Sequence, residues 1–307
     1  MELRHLRYFV AVAEEGSVTL AAERRLHTAQ PSLSRQLRDL EAEIGAQLLT
    51  RSARGVELTP AGRAFLDHAR LALSQVEAAG EAARRAAYPS KASFAMGFLT
   101  GTETIWLSEA MRLLRDELPA IDVMICSQTS PQLASALMRG KLDAAFLRAE
   151  RHLPDLTYRL LEREPLVVVL RSEHRLAAQA AIAVQDLVGD TFISVSQTAP
   201  VLRAVIDDYL EEQGVALTPD HEADNLAAAI SLVASTGGIG LLPIFALNFL
   251  PASVISRPLA GTAPTVDLML GYHKANTSPL LKLFLSRIDE LIARVVDRQP
   301  TDDAPRR

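Results

Sequence analysis

The chain has 307 residues, of which 49% are hydrophobic and 22% are charged, and its formal net charge is −5. This length allows two or three domains, the composition is typical of a globular protein, and the acidic balance excludes a uniformly basic nucleic-acid binder. The single cysteine, Cys126, excludes an intrachain disulfide and favours a reducing cytoplasm, where we expect the protein to act. No run of 18 apolar residues indicates a membrane span, and the seven histidines lack the spacing of metal ligands.

The charge is unevenly distributed along the chain. Residues 1–90 contain 12 arginines, no lysine and 11 acidic residues, so this part has a net charge of +1 and the remainder has −6. A slightly basic front that uses only arginine indicates an anionic partner for that part.

Three helices are predicted in the first 45 residues. LRHLRYFVAVAEE places apolar side chains on one face and ends at Gly16. Ser17 or Thr19 can cap a second helix, VTLAAERRLH, and a short turn, HTAQ, follows it. The third helix starts near Pro31, because the first helical position does not need the missing N–H of proline. The pattern predicts a helix-turn-helix.

The third helix carries the first candidate site. Leu33, Leu37, Leu40 and Ile44 form one apolar stripe, and the opposite side is polar. Hydroxyls, amides and arginines at the start of a helix can bind phosphates and base edges in a major groove. We therefore predict a recognition helix, with a solvated helix face as the alternative. The candidate DNA-binding residues here are Thr28, Gln30, Pro31, Ser32, Ser34, Arg35 and Arg38.

A basic hairpin is predicted directly after this helix. QLLTRSARGVELT has strand-like ends around a tip that contains Arg51 and Arg54, and Gly55 can adopt the positive φ that a tight turn requires. A wing of this kind can hold a flanking phosphate or minor groove, so both arginines are candidate DNA contacts.

The front of the chain resembles the LysR-type transcriptional regulators. The resemblance lies in MELRHLRYFVAVAEEGS, AAERRLHTAQPSLSRQLRDLE, IGAQLLTR and GVELTPAGRAFL, which cover most of residues 1–66. It implies a winged helix-turn-helix over residues 1–60, with Gln30, Pro31, Ser34 and Arg35 at the family's usual base and phosphate contacts. The chain departs from the family pattern once. Arg24 and Arg25 both intervene where the family usually has one residue, so the second helix must absorb an extra residue.

Residues 61–88 are predicted to form a linker helix. Apolar and small side chains follow the 3-4 spacing of a coiled-coil seam: Leu66, Ala69, Leu73, Val76, Gly80, Ala83 and Ala87. The alternative is a helix packed on its own domain. The resemblance implies a homodimer through this helix and a homotetramer built from it, and a two-fold dimer predicts a DNA site with dyad symmetry. Residues 88–91 are predicted to be a hinge.

Residues 92–297 alternate strand and helix patterns. The predicted strands are FAMGFL, DVMIC, DAAFLR, LVVVL, FISVS, GIGLLP and VDLMLGY. The expected fold is α/β with largely parallel sheets in two lobes, about 92–165 with 266–297, and about 166–265. This arrangement matches the family's effector domain, which is like a periplasmic binding protein. Residues 298–307 are predicted to be a disordered tail.

The lobes should enclose a binding cleft at the carboxyl ends of their strands. Three loop-to-helix junctions, near Thr100, Ser130 and Thr198, bring hydroxyls and free N–H groups to that place, and Arg148 ends a strand there. These groups suit a carboxylate, with plain helix caps and a surface arginine as the alternative. Matching to the family places seven residues at its inducer pocket: Thr100, Thr102, Ser130, Arg148, Ser196, Leu202 and Asn225. The chain is similar to members that control aromatic-acid catabolism, including that of phenylpropionate and cinnamate, which implies an aromatic carboxylate inducer and no cofactor.

The sequence argues against two other classes of protein. An enzyme would need a catalytic constellation, but GGIG at 237–240 follows a helix and is predicted to be a helix C-cap instead of a nucleotide loop. A solute-binding protein would have no use for the first 60 residues. We therefore predict a regulator and no catalytic residues. Its expected partners are double-stranded promoter DNA, an inducer, a second copy of the chain and RNA polymerase.

Overall fold

The computed structural model describes residues 1–52, 55–87, 93–150 and 153–297, and it divides the chain into two units, Met1–Ala87 and Tyr88–Arg307. Arg54, the predicted hinge at 88–91 and the predicted tail at 298–307 lie outside the described residues, as does the side chain of Arg51.

The first unit is a winged helix-turn-helix with a long helix attached. Its helices and strands are α1 (Leu3–Glu15), α2 (Val18–Leu20), a π-helical turn (Ala21–Leu26), α3 (Gln30–Ile44), β1 (Leu49–Ser52), β2 (Gly55–Leu58) and α4 (Pro60–Ala87). Gly16 ends α1 in the left-handed conformation, and the Ser17 side chain caps α2, both as the sequence predicts. The strands β1 and β2 pair antiparallel as the wing.

The segment that contains Arg24 and Arg25, where the resemblance implies an extra residue, is a π-helical turn. The N–H of His27 bonds to the carbonyl of Ala22, five residues back, whereas an α-helix bonds four residues back. The longer ring can accommodate one more residue, and Ala21 and Ala22 are buried within the turn.

The predicted coiled-coil seam of α4 is only partly free for a partner helix. Leu66 and Ala69 are buried in the core of their own unit, and Leu73 packs against that core. Phe65 of the same helix makes an edge contact with Phe9 of α1, with ring centroids 5.1 Å apart. The first half of α4 is therefore a core helix of the DNA-binding unit, and the prediction that these positions face a partner is wrong. The exposed apolar position Val76 lies beyond this half.

The second unit contains nine strands and six α-helices in its described residues. The strands are β3 (Ser93–Leu99), β4 (Asp122–Gln128), β5 (Ala144–Leu147), β6 (Leu156–Arg171), β7 (Phe192–Val195), β8 (His221–Ala223), β9 (Ile239–Pro243), β10 (Val254–Pro258) and β11 (Thr265–His273). The helices are α5 (Glu103–Glu117), α6 (Ser130–Met138), α7 (Pro200–Glu212), α8 (Leu226–Thr236), α9 (Pro279–Ser286) and α10 (Ile288–Val296). Gly237 ends α8 in the left-handed conformation, so the GGIG segment is a helix C-cap.

The order and direction of the strands show how the two halves of the second unit are connected. The strands run in the order β4-β3-β5-β11-β6-β9-β7-β8, and β10 pairs with β6. Strands β3, β4 and β5 are parallel, as are β7, β8 and β9, whereas β6 and β11 are antiparallel to their neighbours. The prediction of largely parallel sheets is therefore wrong for the two long strands that pass from one half to the other.

Each half has its own hydrophobic core. One core contains Phe94, Trp106 and Phe284, and the other is built around residues 166–170 with Phe192 and Val233. Strand β6 belongs to the first half up to Pro165, where it pairs with β11, and to the second half from Leu166, where it pairs with β9. We call these halves lobe I and lobe II.

Candidate DNA-binding surface and effector cleft

The third helix presents a polar surface because its apolar stripe is buried. Ala29 is extended just before α3, and a proline occupies the first turn. Leu33, Leu37 and Leu40 are buried, whereas Arg35 is exposed on the opposite side. The Arg35 side chain is 78% exposed, and its nearest carboxylate, Asp39, is 3.9 Å away. Among the other predicted contacts on this helix, four are exposed: Gln30, Pro31, Ser32 and Arg38.

Ser34 has a different place from the one that the sequence predicts. It is buried, and its hydroxyl accepts a hydrogen bond from Gln30 Nε2 at 3.0 Å. Its carbonyl accepts one from Arg38 Nε at 3.3 Å. Ser34 therefore orients two exposed polar side chains, and it does not itself present a free hydroxyl. Thr28 is half-buried and donates its N–H to the carbonyl of Ala22.

The wing is fixed to the third helix by a carboxylate that the sequence analysis missed. Glu41 Oε1 accepts the N–H groups of Leu48 at 2.8 Å and Leu49 at 2.9 Å. Thr59 then donates its hydroxyl to the Gln47 carbonyl at 2.7 Å, just before α4 begins. The helix and the wing are thus held together at the base of the hairpin.

A group of three ionic side chains ties the second helix to α1 and α4. Glu14 accepts hydrogen bonds from Arg25 and, at 2.8 Å, from Arg70 of α4. Burial tends to raise the pKa of Glu14, but the two arginines outweigh burial and hold the pKa below its ordinary value.

A cleft that is open to solvent lies between the two lobes of the second unit. Its walls are mainly apolar side chains, together with the starts of three helices, α6, α7 and α8. Helix starts carry unpaired N–H groups and a partial positive charge, so they favour an anion. Five of the seven predicted inducer-binding residues line this cleft: Thr100, Ser130, Arg148, Leu202 and Asn225.

The other two predicted residues do not line the cleft. Thr102 is fully buried, and its hydroxyl donates to the Leu99 carbonyl at 2.8 Å. Ser196 is buried behind Thr198, and the two hydroxyls are 2.9 Å apart. Both residues support the loops that form the wall. At the start of α5 the carboxylate of Glu103 already accepts the Gly101 N–H at 2.7 Å, so an internal anion occupies that junction.

Arg148 lies at the base of the cleft and is already paired. It is buried, and its guanidinium forms an ion pair with Glu164 of β6 and a 3.4 Å hydrogen bond to the Val266 carbonyl of β11. Its backbone N–H donates to Ser130 Oγ at 2.9 Å. The guanidinium carbon is also 5.9 Å from the ring centroid of Phe245, which belongs to lobe II. One side chain therefore contacts both strands that join the lobes.

Neither Glu150, which lines the cleft, nor Glu164, which pairs with the cleft residue Arg148, is among the site residues predicted from the sequence. Glu164 is buried, and burial raises its pKa above the ordinary value. The charge of Arg148 lowers this pKa in part, and the charge of Glu162 raises it, so the net direction is upward. Glu150 lines the cleft, and burial raises its pKa as well. Thr198, Asp224 and the apolar ring of Phe245 complete the wall. No periodic pattern marks these residues, because the chain brings them together from loops of both lobes.

The comparisons with known proteins agree with this architecture. Residues 3–63 match the model of the bacterial regulatory helix-turn-helix proteins of the lysR family, and residues 90–293 match the LysR substrate binding domain. None of the described helices is long and apolar enough to cross a membrane.

Individual relatives cover nearly the whole chain. The Hca operon transcriptional activator HcaR of Escherichia coli (strain K12) is 35% identical over 300 residues, which are 96% of this chain and 99% of that protein. The regulator BenM of Acinetobacter baylyi is 33% identical over 82% of this chain and 85% of its own length. The crystal structure of full-length BenM covers 98% of this chain and 100% of its own, with 28% identity and a TM-score of 0.58. CbnR in complex with its target DNA covers 95% of this chain and 100% of its own, with 25% identity and a TM-score of 0.57.

A helix-turn-helix unit with an exposed polar recognition face is thus joined in one chain to a two-lobed unit with a cleft for a small molecule. The chain belongs to the LysR family of DNA-binding transcriptional regulators, which are not enzymes, and it combines their DNA-binding domain with their effector-binding domain.

Proposed function

We propose that this protein regulates a promoter in response to an aromatic carboxylate bound in the cleft between lobes I and II. The observation that carries the proposal is a mainly apolar cleft with one buried arginine and three helix starts at its wall. The apolar side chains of Leu99, Leu202, Pro243 and Phe245 suit an aromatic ring. The positive end suits a carboxylate.

The same residues suggest how the inducer acts on the lobes. A carboxylate that binds Arg148 competes with Glu164 and with the Val266 carbonyl for the same guanidinium. Glu164 and Val266 are paired neighbours on β6 and β11, the strands that pass between the lobes. A ligand that draws Arg148 away from them changes the contacts that fix the angle between the lobes. Linkage requires that the inducer bind the two arrangements with different affinity.

On the DNA side, the proposed base contacts are Arg35 with its neighbours Gln30, Pro31 and Ser32. Arg35 can form a bidentate pair with guanine O6 and N7. The wing arginines, Arg51 and Arg54, and Arg38 are proposed phosphate contacts. Thr28 and Ser34 are proposed to position the helix start, since both are engaged in internal hydrogen bonds.

The proposed assembly is a homodimer through the second half of α4 and a homotetramer built from two such dimers. Val76 of α4 is exposed beyond the part of the helix that packs on its own unit. Met124 and Ile125 are exposed on β4 and offer a second apolar surface, because β4 pairs only with β3 among the strands that the structure describes. A two-fold dimer places two recognition helices on a dyad-symmetric site. We place this regulator in the cytoplasm, where promoter DNA is accessible, and contact with RNA polymerase stays a prediction.

The deciding experiment is a footprint of the full-length protein on the DNA upstream of its own gene. The reaction would contain benzoate, cinnamate or 3-phenylpropionate, and the matching carboxamides would be the controls. We expect a protected dyad whose extent changes with at least one carboxylate and with none of the amides. Protection that ignores every acid would overturn the carboxylate proposal while leaving the DNA-binding surface intact. If an amide changed the footprint as much as its acid does, a carboxylate contact with Arg148 would be ruled out.

A further inference from the structure

The segment before the recognition helix has an unusual backbone. Ala21–Leu26 is π-helical, and the next residue, His27, has φ 45° and ψ 46°. Among the described residues, His27 is the one non-glycine position with positive φ. Both features are uncommon, and both cost free energy relative to an ordinary helix end. Such features persist where the surrounding structure or a function retains them.

Arg24 and Arg25, the two arginines of the π-helical turn, have different surroundings. Arg25 turns back onto α1, where it forms an ion pair with Glu14 and approaches Glu15 at 3.7 Å. Arg24, the preceding residue, is exposed and has no ion-pair partner among the described residues. One arginine is therefore structural, and the other is a free cation.

The position of Arg24 relative to the DNA-binding surface indicates its partner. It lies in the helix that precedes the recognition helix, and the His27 to Ala29 turn leads directly into Gln30 and the exposed side of α3. In helix-turn-helix proteins the first of the two helices crosses the DNA backbone while the second enters the major groove. A free guanidinium on the first helix is thus placed to meet a phosphate and not a base edge.

We propose that Arg24 binds a backbone phosphate beside each half-site, a contact that the extra residue of this chain adds and the π-helical turn makes possible. The turn keeps Ala21 and Ala22 in the core and Arg25 on Glu14, while it leaves Arg24 exposed to solvent. The partner is the phosphodiester group, so the contact adds affinity on every DNA sequence and no sequence preference.

The test compares Arg24→Ala with the full-length parent protein on its own operator and on a scrambled duplex, over a range of salt concentrations. We expect about the same fold-loss of affinity on both duplexes. The slope of log K against log salt should become shallower by about 0.9 for each protomer bound, the value for one released counterion. Arg24→Lys should keep most of the slope, because a phosphate also accepts a point charge.

Two further variants control for general charge and for helix geometry. Arg7→Ala removes an exposed arginine of α1 from the same unit, and it should leave the slope unchanged. Deletion of Arg24 removes the extra residue itself, and it should reduce the slope as much as Arg24→Ala does. An unchanged slope in Arg24→Ala would overturn the proposal, as would an equal loss in Arg7→Ala. A loss of affinity for the operator but not for the scrambled duplex would indicate a base contact, and it would also overturn the proposal.

Discussion

The two binding regions of this regulator handle their arginines in opposite ways. On the recognition helix the Arg35 side chain is 78% exposed, and Asp39 approaches it only to 3.9 Å. In the cleft the Arg148 side chain is 5% exposed and is paired with Glu164. An exposed cation can remain unpaired until DNA binds, because water solvates it. A buried cation must instead be paired with an anionic group of the protein itself. Under the proposed function, DNA would bind cations that are free, and an inducer carboxylate would compete for a guanidinium that is already paired.

The largest expected effect comes from breaking the internal pair in the cleft. Arg148→Ala leaves Glu164 buried without its cation and removes the hydrogen bond to Val266. We expect the free energy of unfolding of the effector unit to fall by about 3–5 kcal/mol. Urea denaturation followed by circular dichroism of the full-length protein measures this change, and the transition of the DNA-binding unit should not move.

A double variant separates loss of the charge pair from loss of packing. Arg148→Met with Glu164→Leu removes both charges and keeps apolar volume, so it should recover most of the stability that Arg148→Ala loses. The double variant should still fail to respond to the carboxylate inducer, because no cation remains. An Arg148→Ala protein as stable as the parent would contradict the view that the pair is a structural element.

Much of the fold follows from local patterns. The apolar run LVVVL after Pro165 predicts the buried part of β6, and Gly16 and Gly237 end their helices as expected. The first part of β6, LTYRLLEREP at 156–165, is not predictable from the sequence, because many of its side chains are charged or half-exposed and do not alternate cleanly. Its position depends on pairing with β11, which lies about 100 residues later in the chain.

The next prediction concerns the exposed region. Arg35→Ala should weaken binding to the operator by about 1–3 kcal/mol and relax the preference for one base position, with no change in stability. Competition of labelled operator with single-base variants measures the preference. Asp39→Asn is the matched control, because it removes the carboxylate beside Arg35 and should leave binding unchanged or tighter. A uniform loss on all sequences would instead make Arg35 a phosphate contact.

The binding sites were less predictable than the fold. The residue types at Thr100, Ser130 and Arg148 were sufficient to predict a cleft wall, since each follows a strand. The role of Ser34 was not predictable, because burial of its hydroxyl depends on the rotation of α3 against its neighbours and on Gln30. Arg148 follows β5 and Glu164 lies on β6, and both strands pair with β11, which lies between them in the sheet. No sequence spacing of 16 residues suggests the pairing of Arg148 with Glu164 by itself.

The smallest expected effect is the pH dependence that the cleft imposes on stability. Burial raises the pKa of Glu164 in the folded protein above its ordinary value, despite the opposing influence of Arg148. Between the ordinary glutamate pKa and this raised value, the folded protein binds more protons than the unfolded chain. The free energy of unfolding should therefore fall as pH rises through this window, with a slope no steeper than about 1.4 kcal/mol per pH unit. Above the window the loss is complete, and below the unfolded pKa it is absent.

Glu164→Gln isolates this contribution, because glutamine keeps a hydrogen-bond acceptor for Arg148 and does not titrate. Urea denaturation of the parent and the variant at a series of pH values gives two curves, and their difference should slope only within the window. Glu150, whose pKa burial also raises, contributes to both curves and cancels in the difference. Glu162 lies on the same strand but is only half-buried. Glu162→Gln, made in both the parent and the Glu164→Gln variant, should change the difference between their two curves little. A difference curve that rises with pH would mean that Arg148 outweighs burial. The guanidinium would then be bound too tightly for an inducer carboxylate to displace Glu164, and the contrast between an engaged cleft arginine and a free DNA-facing arginine would become sharper.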